Sequence, residues 1–225
     1  MTRGNTATSR SAPPTSPFAA HPVRGPANAL FFAALGGYID VLTRDRKRRI
    51  LADLSGPVVE IGPGVGANFR YLRKGTVVIA VEPNPHMHAR LQRSAERWGV
   101  ELHLQAGVAE STGLETASAA AVISSLVLCS VHDPGAAVRE VHRLLRPGGR
   151  FAFLEHVVAA EGTATRQVQR LLARPWSWAF EGCSCERDLA HLISNAGFSH
   201  VELERTHVRS PFLPANPQIS GVAVK

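Results

Sequence analysis

Hydrophobic and polar positions alternate between two patterns over residues 58–158. Short runs of consecutive apolar residues, such as Val58–Ile61 and residues 121–128, predict strands that are buried on both faces. Between these runs, Pro85–Trp98 and the segment after Asp133-Pro134 form polar or one-sided helical stretches. Strands that alternate with helices predict a parallel sheet covered by helices on both faces, which is an α/β fold.

The remaining elements of this region follow from β-branched runs, glycines and helix caps. Further strands are expected at residues 76–81, 101–104 and 150–158. Residues 68–72 are expected to begin a helix directly after the first strand. The helix that begins at Asp133, a preferred N-cap residue, is expected to end at the Pro147-Gly148-Gly149 segment.

The last third of the chain has a different pattern. Residues 163–181 form an amphipathic stretch that contains tryptophans, and a helix is expected over residues 186–196. Two strands follow, at residues 200–208 and 219–224. The proline-containing linker between them is too short for a crossover helix, so these two strands are expected to pair antiparallel.

The N-terminal part divides in two by composition. Residues 1–26 are rich in Ser, Thr, Pro and Ala, and they predict a disordered tail because so few apolar residues cannot offset the entropy of ordering. Residues 27–225 form the predicted domain. Its first part, residues 27–55, has apolar residues at helical spacing in two stretches, which predict helices that lie across the core.

Composition is ordinary for a globular protein, with 44% hydrophobic residues, but the net charge is +7. Three arginines lie in the tail, and the run from Arg46 to Arg49 is expected to form a solvated helix face. No basic stripe is interleaved with aromatic residues, as single-strand binding requires. A nucleic-acid methyltransferase or binding module stays open as an alternative, which predicts salt-dependent affinity that persists without residues 1–26.

The chain has no uncharged apolar run of about 18 residues or more and no secretory pattern, so no membrane span is expected. Its three cysteines, Cys129, Cys183 and Cys185, match no zinc spacing, and no metal is predicted. A sparse, odd set of cysteines suits the reducing cytoplasm. Cys129 is interpreted as a small core residue.

The strongest chemical signal is the segment Glu60-Ile-Gly-Pro-Gly-Val-Gly-Ala-Asn68 at the end of the first strand. Glycines let the backbone turn sharply and approach a ligand closely. The loop alone also fits a dinucleotide fingerprint, so an NAD(P)-dependent reductase stays open. Glu60 favours a bound amino group over a pyrophosphate, and Glu82, which closes the second strand, can accept both hydroxyls of a ribose.

The segments EIGPGVGAN, VIAVEPN, AGVAE, VISSLVLCSV and LLRPGGRFAFLEHV resemble the motifs of class I S-adenosylmethionine-dependent methyltransferases. The pieces FLEHV, PWSWAFEGCSCERD and SGVAVK resemble the methyltransferase-like alkyl thiol methyltransferases. This resemblance implies a Rossmann-like sheet of seven strands in the order 3-2-1-4-5-7-6, with the last strand antiparallel. Animal members of this family are anchored to membranes by an N-terminal hydrophobic helix. This chain has a polar tail in that place, so a cytoplasmic location is expected.

The resemblance also implies a cofactor, S-adenosylmethionine, and its product, S-adenosylhomocysteine. The residues implied to bind it are Glu60, Gly62, Gly64, Gly66, Asn68, Glu82, Pro83, Asn84, Val108, Ala109, Glu110, Ser125 and Leu126. Val108 departs from the family pattern, because many relatives have Asp there. Valine has no side-chain hydrogen-bonding group, so the resemblance implies no bond from this side chain to the adenine amino group.

The resemblance favours a small, fairly hydrophobic thiol as methyl acceptor, and the protein is expected to act as a monomer or weak homodimer. An oxygen, nitrogen or carbon acceptor of secondary metabolism is the close alternative, and cofactor binding without methyl transfer stays open. A thiol needs little base catalysis, whereas an oxygen or carbon acceptor requires a general base. His156 is the first candidate for that base, and His132 is the second. Residues 163–185 are expected to cover the substrate, with Tyr38, Trp176, Phe180 and Cys183 as candidate contacts.

Overall fold

The computed structural model describes residues 21–225. Its seven-stranded sheet has the order β3-β2-β1-β4-β5-β7-β6. The strands are β1 (Val58–Ile61), β2 (Val77–Val81), β3 (Glu101–Gln105), β4 (Ala119–Ser125), β5 (Leu145–His156), β6 (His200–His207) and β7 (Pro217–Val224). The first five strands pair parallel, and β7 lies antiparallel between β5 and β6. The predicted fold class and strand order are therefore confirmed.

Within the described residues, five α-helices surround this sheet: α1 (Arg24–Leu51), α2 (Pro85–Trp98), α3 (Pro134–Leu144), α4 (Ala164–Ala179) and α5 (Leu189–Ser194). Local chemistry sets their ends. The side chain of Asp133 accepts a hydrogen bond from the Ala136 backbone at the start of α3. Gly99 ends α2 in the left-handed conformation, which glycine adopts without strain. The predicted helix at residues 68–72 is only a 3-10 turn, Phe69–Tyr71.

The N-terminal helices predicted at residues 27–55 are one continuous helix, α1, which begins three residues inside the predicted tail. The expected end of the tail was therefore wrong, and residues 1–20 of that tail lie outside the described residues. Asp40 on α1 accepts hydrogen bonds from Arg70 and Tyr71 in the 3-10 turn. These contacts fasten α1 over the carboxyl end of β1.

The basic run on α1 is only in part the solvated face that the sequence predicted, because Arg48 and Arg49 are exposed whereas Arg46 and Lys47 are buried. The side chains of Arg46 and Lys47 are 6% and 3% exposed. Arg46 donates a hydrogen bond of 2.7 Å to Gln218 on β7, so α1 is bound to the interior of the sheet. Burial is tolerated because the charge has a polar partner, and Lys47 has the carboxylates of Glu60 and Asp40 nearby.

By length and composition, α1 could also cross a membrane: an 18-residue window has a mean hydropathy of 1.2, with 17% of it buried. The expectation that the chain has no membrane span stays a prediction. The finding is weak evidence for a span, because core helices and signal sequences meet the same test. The sequence pattern did not single out this window because the criterion applied there required an uncharged run.

Candidate cofactor and acceptor site

A cavity of about 950 Å³ lies at the carboxyl ends of the parallel strands, beneath α1 and α4. This is the edge of an open α/β sheet where ligands bind. Its walls come from the loops after β1, β2, β4 and β5, from α1, and from the segment after α4. One end is built from the glycine loop and Glu82, and the other end is aromatic.

The glycine loop can take its path only because it lacks side chains at two points. Gly62 has a φ of +58°, and a Cβ atom there would lie 2.7 Å from the side chain of Val127. Gly64 has a φ of +59°, and its N–H donates a hydrogen bond of 2.9 Å to Glu82. The two glycines therefore let the backbone pass close to both β4 and β2.

Glu82 lies where β2 ends, and two backbone N–H groups fix its carboxylate. Gly64 donates to one oxygen over 2.9 Å, and Asn84 donates to the other over 2.8 Å. Burial raises the pKa of Glu82 to about 7, although both hydrogen bonds lower it. A carboxylate held in this way at the cavity wall can still accept hydrogen bonds from hydroxyl groups on a ligand.

Glu60 is buried at the end of β1 and accepts a hydrogen bond of 2.6 Å from the Asn68 side-chain amide. Because a carboxylate only accepts, the amide must turn its NH2 group toward Glu60 and its oxygen away. That Asn68 oxygen is buried and has no partner among the described residues. Burial raises the pKa of Glu60 to about 7, while Asn68 and Lys47 lower it.

These groups fit S-adenosylmethionine. The unpartnered Asn68 oxygen, on a residue that lines the cavity, is an acceptor for the ammonium group of an amino acid. The Glu82 carboxylate is an acceptor for a ribose diol. A pyrophosphate would meet the Glu82 carboxylate at the cavity wall, with the Glu60 carboxylate buried behind Asn68, and these two charges would disfavour a dinucleotide.

The loops that frame the middle of the cavity are held by two carboxylates, the half-buried Glu110 and the buried Glu155. Glu110 accepts hydrogen bonds from the backbone of His132 and Asp133, so its charge orders the start of α3. Glu155 is fully buried and accepts a bond of 2.6 Å from Ser124 and one of 3.1 Å from the Val127 backbone. Burial raises the pKa of Glu155, while these bonds lower it.

Leu126 follows β4 with a φ of +62°, in the left-handed region that residues other than glycine seldom adopt. Its N–H donates a hydrogen bond of 2.7 Å to the Leu154 carbonyl on β5, which holds this conformation. Ser125 and Leu126 both line the cavity. Backbone strain of this kind is often found where a loop must face a ligand.

The aromatic end of the cavity is built by α1, α4 and the loop before β7. The rings of Trp176 and Phe180 lie 4.2 Å apart, and Phe31 of α1 lies 5.5 Å from Phe180. Tyr38, 38% exposed, lies 6.4 Å from Phe212 at the rim. Rings arranged in this way form an apolar wall for a small acceptor.

A cluster of two thiols and an imidazole lines the same part of the cavity. The Sγ atoms of Cys129 and Cys183 lie 3.4 Å apart, and His156 Nδ1 lies 3.6 Å from the first and 3.7 Å from the second. The hydrogen bond with Cys183 and burial raise the pKa of the Cys129 thiol well above its usual value, although His156 lowers it. Cys129 is thus a core residue that also contributes to the cavity wall.

Most residues predicted to bind cofactor or substrate line this one cavity. They are Gly62, Gly64, Asn68, Glu82, Pro83, Val108, Ala109, Glu110, Ser125, Leu126, His132, His156, Tyr38, Trp176, Phe180 and Cys183. Three predicted residues are not part of the lining: Glu60, Gly66 and Asn84. Glu60 supports Asn68, Gly66 packs closely against Ser94 of α2, and Asn84 caps α2.

Sequence reasoning missed several lining residues, chiefly Lys47, Glu181, Arg187 and Phe212. For Lys47 a signal was present, since it lies four residues after Thr43 and eight after Ile39, on the apolar face of the helix. Phe212 lies in a proline-containing linker without helical or strand periodicity, so the sequence pattern could not assign it to the cavity. Glu181 has a φ of +48° and accepts from Asn84 over 3.3 Å.

Comparison with known proteins agrees with this geometry. Residues 59–153 match the family described as Methyltransferase domain. The chain is 33% identical over 194 residues to thiol S-methyltransferase TMT1B of Homo sapiens, covering 80% of this chain and 78% of that protein.

Two solved structures share the fold. A SAM-dependent methyltransferase of Thermotoga maritima, described as a possible histamine N-methyltransferase, has a TM-score of 0.61 at 17% identity, covering 88% of this chain and 95% of its own. A phosphoethanolamine N-methyltransferase of Haemonchus contortus, in complex with S-adenosylhomocysteine, has a TM-score of 0.65 at 13% identity, covering 93% and 60%. The chain thus belongs to the thiol S-methyltransferase family, and it is a class I methyltransferase that uses S-adenosylmethionine.

Proposed function

We propose that this protein transfers a methyl group from S-adenosylmethionine to the sulfur of a small, apolar thiol, giving a thioether and S-adenosylhomocysteine. The observation that carries the proposal is the continuity of one cavity, with the cofactor residues at one end and the aromatic wall at the other. The relatives named thiol S-methyltransferases, at 33% identity and above, support sulfur as the accepting atom.

The cofactor supplies a methyl group on a positively charged sulfonium, which a nucleophile displaces in line. The work of the chain is to orient the two reactants and to exclude water. The Asn68 oxygen and Glu82 would hold the amino-acid and ribose parts. Trp176 and Phe180 would hold the apolar acceptor, and α1 would close the cavity above them.

Thiols are much stronger acids than alcohols, with a pKa of about 8.5 for a cysteine side chain, so a small part of a thiol is ionised near neutral pH. A sulfur acceptor therefore makes little demand on a general base. This matches the acceptor end of the cavity, where the imidazole of His156 faces two sulfur atoms through Nδ1. One oxygen of the adjacent Glu155 carboxylate accepts hydrogen bonds from Ser124 and the Val127 backbone.

The accepting atom can be tested with three molecules of one shape: phenylmethanethiol, phenylmethanol and phenylmethanamine. With labelled cofactor at pH 7.5, we expect methylation of the thiol at least about 100-fold faster than of the other two. The Glu82→Ala variant and a reaction without enzyme give the background. Methylation of the alcohol or amine with an inert thiol would contradict the proposal.

We also propose that α1 covers the cavity and does not span a bilayer. Its face toward the domain carries Asp40, Arg46 and Lys47, whose partners lie in the domain, and a span would strip these charges of them. With this arrangement the protein would work in the cytoplasm as a monomer or weak homodimer, without nucleic acid. Recovery only in detergent extracts, or a nucleic-acid affinity that survives deletion of residues 1–20, would contradict this.

A further inference from the structure

The cluster of Cys129, His156 and Cys183 brings together three metal-binding atoms from three separate parts of the chain. Cys129 lies in the turn after β4, His156 ends β5, and Cys183 follows α4. Their ligand atoms lie 3.4, 3.6 and 3.7 Å from one another. Together they form one group of potential ligands within the described residues.

These distances are close to those of a tetrahedral zinc site. With Zn–S bonds of about 2.3 Å and Zn–N bonds of about 2.1 Å, a tetrahedron places two sulfurs about 3.8 Å apart and a sulfur and a nitrogen about 3.6 Å apart. The two sulfur–nitrogen distances therefore already suit a shared ion, and the sulfur pair must open by only about 0.4 Å. Thiolates with an imidazole are ligands that zinc prefers.

The two loops that carry the cysteines are bound to each other by hydrogen bonds to main-chain carbonyl groups. Arg187 donates hydrogen bonds of 2.7 Å to the Leu128 carbonyl and of 2.6 Å to the Val131 carbonyl. The N–H of Ser184 donates to the Cys129 carbonyl over 2.7 Å. These bonds fix the Cys183 loop against the Cys129 loop whether or not an ion is present, so the three ligands are held in place in advance.

The three ligands also share one open side. Cys129, His156 and Cys183 all line the cavity, close to the aromatic wall, whereas Cys185 is not part of the lining. Cys185 Sγ lies 3.9 Å from Cys183 Sγ, and Cys185 is not a member of the three-residue group. Three protein ligands with a fourth position open to the substrate are typical of a catalytic zinc site.

We propose that Cys129, His156 and Cys183 bind one Zn²⁺ ion, and that its fourth position takes the sulfur of the methyl acceptor. The proposed metal site depends only on the geometry of the three ligands. The role of its fourth position depends also on the proposed function, in which the acceptor is a thiol. Both cysteines release their protons to solvent on metal binding, and the acceptor thiol releases its proton when it coordinates. Two protein thiolates and the acceptor thiolate then give the centre a net charge of −1, opposite to the sulfonium.

In the transfer, a lone pair on the acceptor sulfur forms the new bond to the methyl carbon. The bond between that carbon and the donor sulfur breaks, and its electron pair stays on S-adenosylhomocysteine. The acceptor changes from a thiolate to a neutral thioether, which is a much weaker zinc ligand and leaves. No oxidant, reductant or further reactant is required.

Zinc binding itself is measured on the full chain, stripped of metal by a chelator and kept reduced with a phosphine in place of a thiol. Titration with ZnCl2 should give one ion per chain, and Co²⁺ should produce thiolate-to-cobalt absorption. Cys129→Ser, Cys183→Ser and His156→Ala should each lower the Zn²⁺ affinity about 100-fold or more. Cys185→Ser is the matched control and should bind Zn²⁺ like the parent chain.

Unchanged S-adenosylhomocysteine affinity shows that each variant is folded. A parent chain that binds no stoichiometric Zn²⁺ overturns the metal site. Loss of Zn²⁺ from Cys185→Ser overturns the open fourth position, since it indicates a closed four-ligand site.

X-ray absorption at the zinc edge tests the fourth position without any turnover. Addition of phenylmethanethiol with S-adenosylhomocysteine should raise the number of sulfur ligands from two to three. An unchanged sulfur number, together with thiol methylation that survives metal removal, overturns the role of the metal and leaves the proposed function intact. Bound zinc in a protein that methylates no thiol overturns the proposed function and leaves the metal site intact.

Discussion

The side-chain amide of Asn68 donates a 2.6 Å hydrogen bond to Glu60, and this bond leaves the Asn68 oxygen without a partner at the cofactor end of the cavity. Glu60 therefore acts on the ligand through Asn68 and does not line the cavity itself. The buried carboxylate is the part of this arrangement that opposes folding, because its charged form is desolvated.

Glu60→Gln should stabilise the protein without ligand, and more so at high pH. The pKa of Glu60 is about 7 in the folded chain against an ordinary 4.5, so its contribution to stability is fully present below 4.5 and is lost as the pH rises through 7. The glutamine has no charge to lose, and its oxygen can still accept from Asn68. The gain in unfolding free energy should grow by about 3 kcal/mol between pH 4.5 and pH 8.

Urea unfolding of both proteins at several pH values measures this gain. The exposed Glu115→Gln variant is the control and should show no such trend. A gain that is equal at pH 5 and pH 8 would show that Glu60 is not the desolvated carboxylate described here.

Affinity for S-adenosylhomocysteine should fall as the pH is lowered below 7. The pKa of Glu82 is about 7 in the free protein, and the ionised carboxylate is the better acceptor for ribose hydroxyls. The dissociation constant should rise about tenfold for each unit below pH 6, because one proton must leave before binding. Calorimetric titration between pH 5 and pH 8 measures this dissociation constant.

The Glu82→Gln variant tests whether Glu82, and no other titrating group, causes this pH dependence of the affinity. It should bind S-adenosylhomocysteine about 10- to 100-fold more weakly at pH 8, since charged hydrogen bonds are lost. Its remaining affinity should vary little with pH. The exposed Glu96→Gln variant on α2 should behave like the parent chain, and a parental pH profile in Glu82→Gln would assign the titration to another residue.

Trp176→Ala and Phe180→Ala should impair the use of an apolar acceptor and leave cofactor affinity unchanged. The two rings lie 4.2 Å apart in the aromatic wall, and removal of either opens it to water. We expect KM for phenylmethanethiol to rise about tenfold, because the bound thiol then removes less apolar surface from water. Trp178→Ala on the same helix is the control, since that side chain is 69% exposed. Equal KM values in the three variants would place the acceptor elsewhere.

Arg187→Ala should destabilise the protein by about 1–3 kcal/mol, because two carbonyl groups lose their hydrogen-bond donor. Arg187→Lys should restore only part of this, since one ammonium group cannot reproduce the planar fork of a guanidinium. Thermal and urea unfolding provide the measurement. Arg139→Ala, which removes an exposed ion pair, should leave stability unchanged. A similar loss in both alanine variants would indicate a general charge effect.

The sheet could be predicted from sequence because its signals are local. The apolar run Val58–Ile61, the Asp133 cap and the Gly99 stop each mark an element by themselves, and the structure has all three. Most of the predicted cofactor residues line one cavity for the same reason, because they follow strands whose positions in the sheet were predicted. Strand ends were missed by a few residues, as at β4, where apolar loop residues continue the pattern of the strand.

The rest depends on contacts between distant segments. Arg46 and Lys47 resemble a solvated charge run, and only the position of Gln218 on β7 explains why Arg46 is buried. Cys129, His156 and Cys183 are separated by 27 residues each, which matches no metal motif, so their convergence is visible only once the sheet order is known. The helix predicted after β1 is only a 3-10 turn, in which Arg70 and Tyr71 bind Asp40 of the distant α1.

The antiparallel insertion of β7 has a consequence for synthesis on the ribosome. Within residues 21–225, the strand made before it, β6, pairs with β7 alone, and β5 has its second neighbour there too. Until residues 217–224 have left the exit tunnel, the nascent chain displays the open edge of β5, and such an edge invites pairing with other chains. The sheet is therefore completed late, and a chain stalled before residue 217 should depend on chaperones in a way that the finished protein does not.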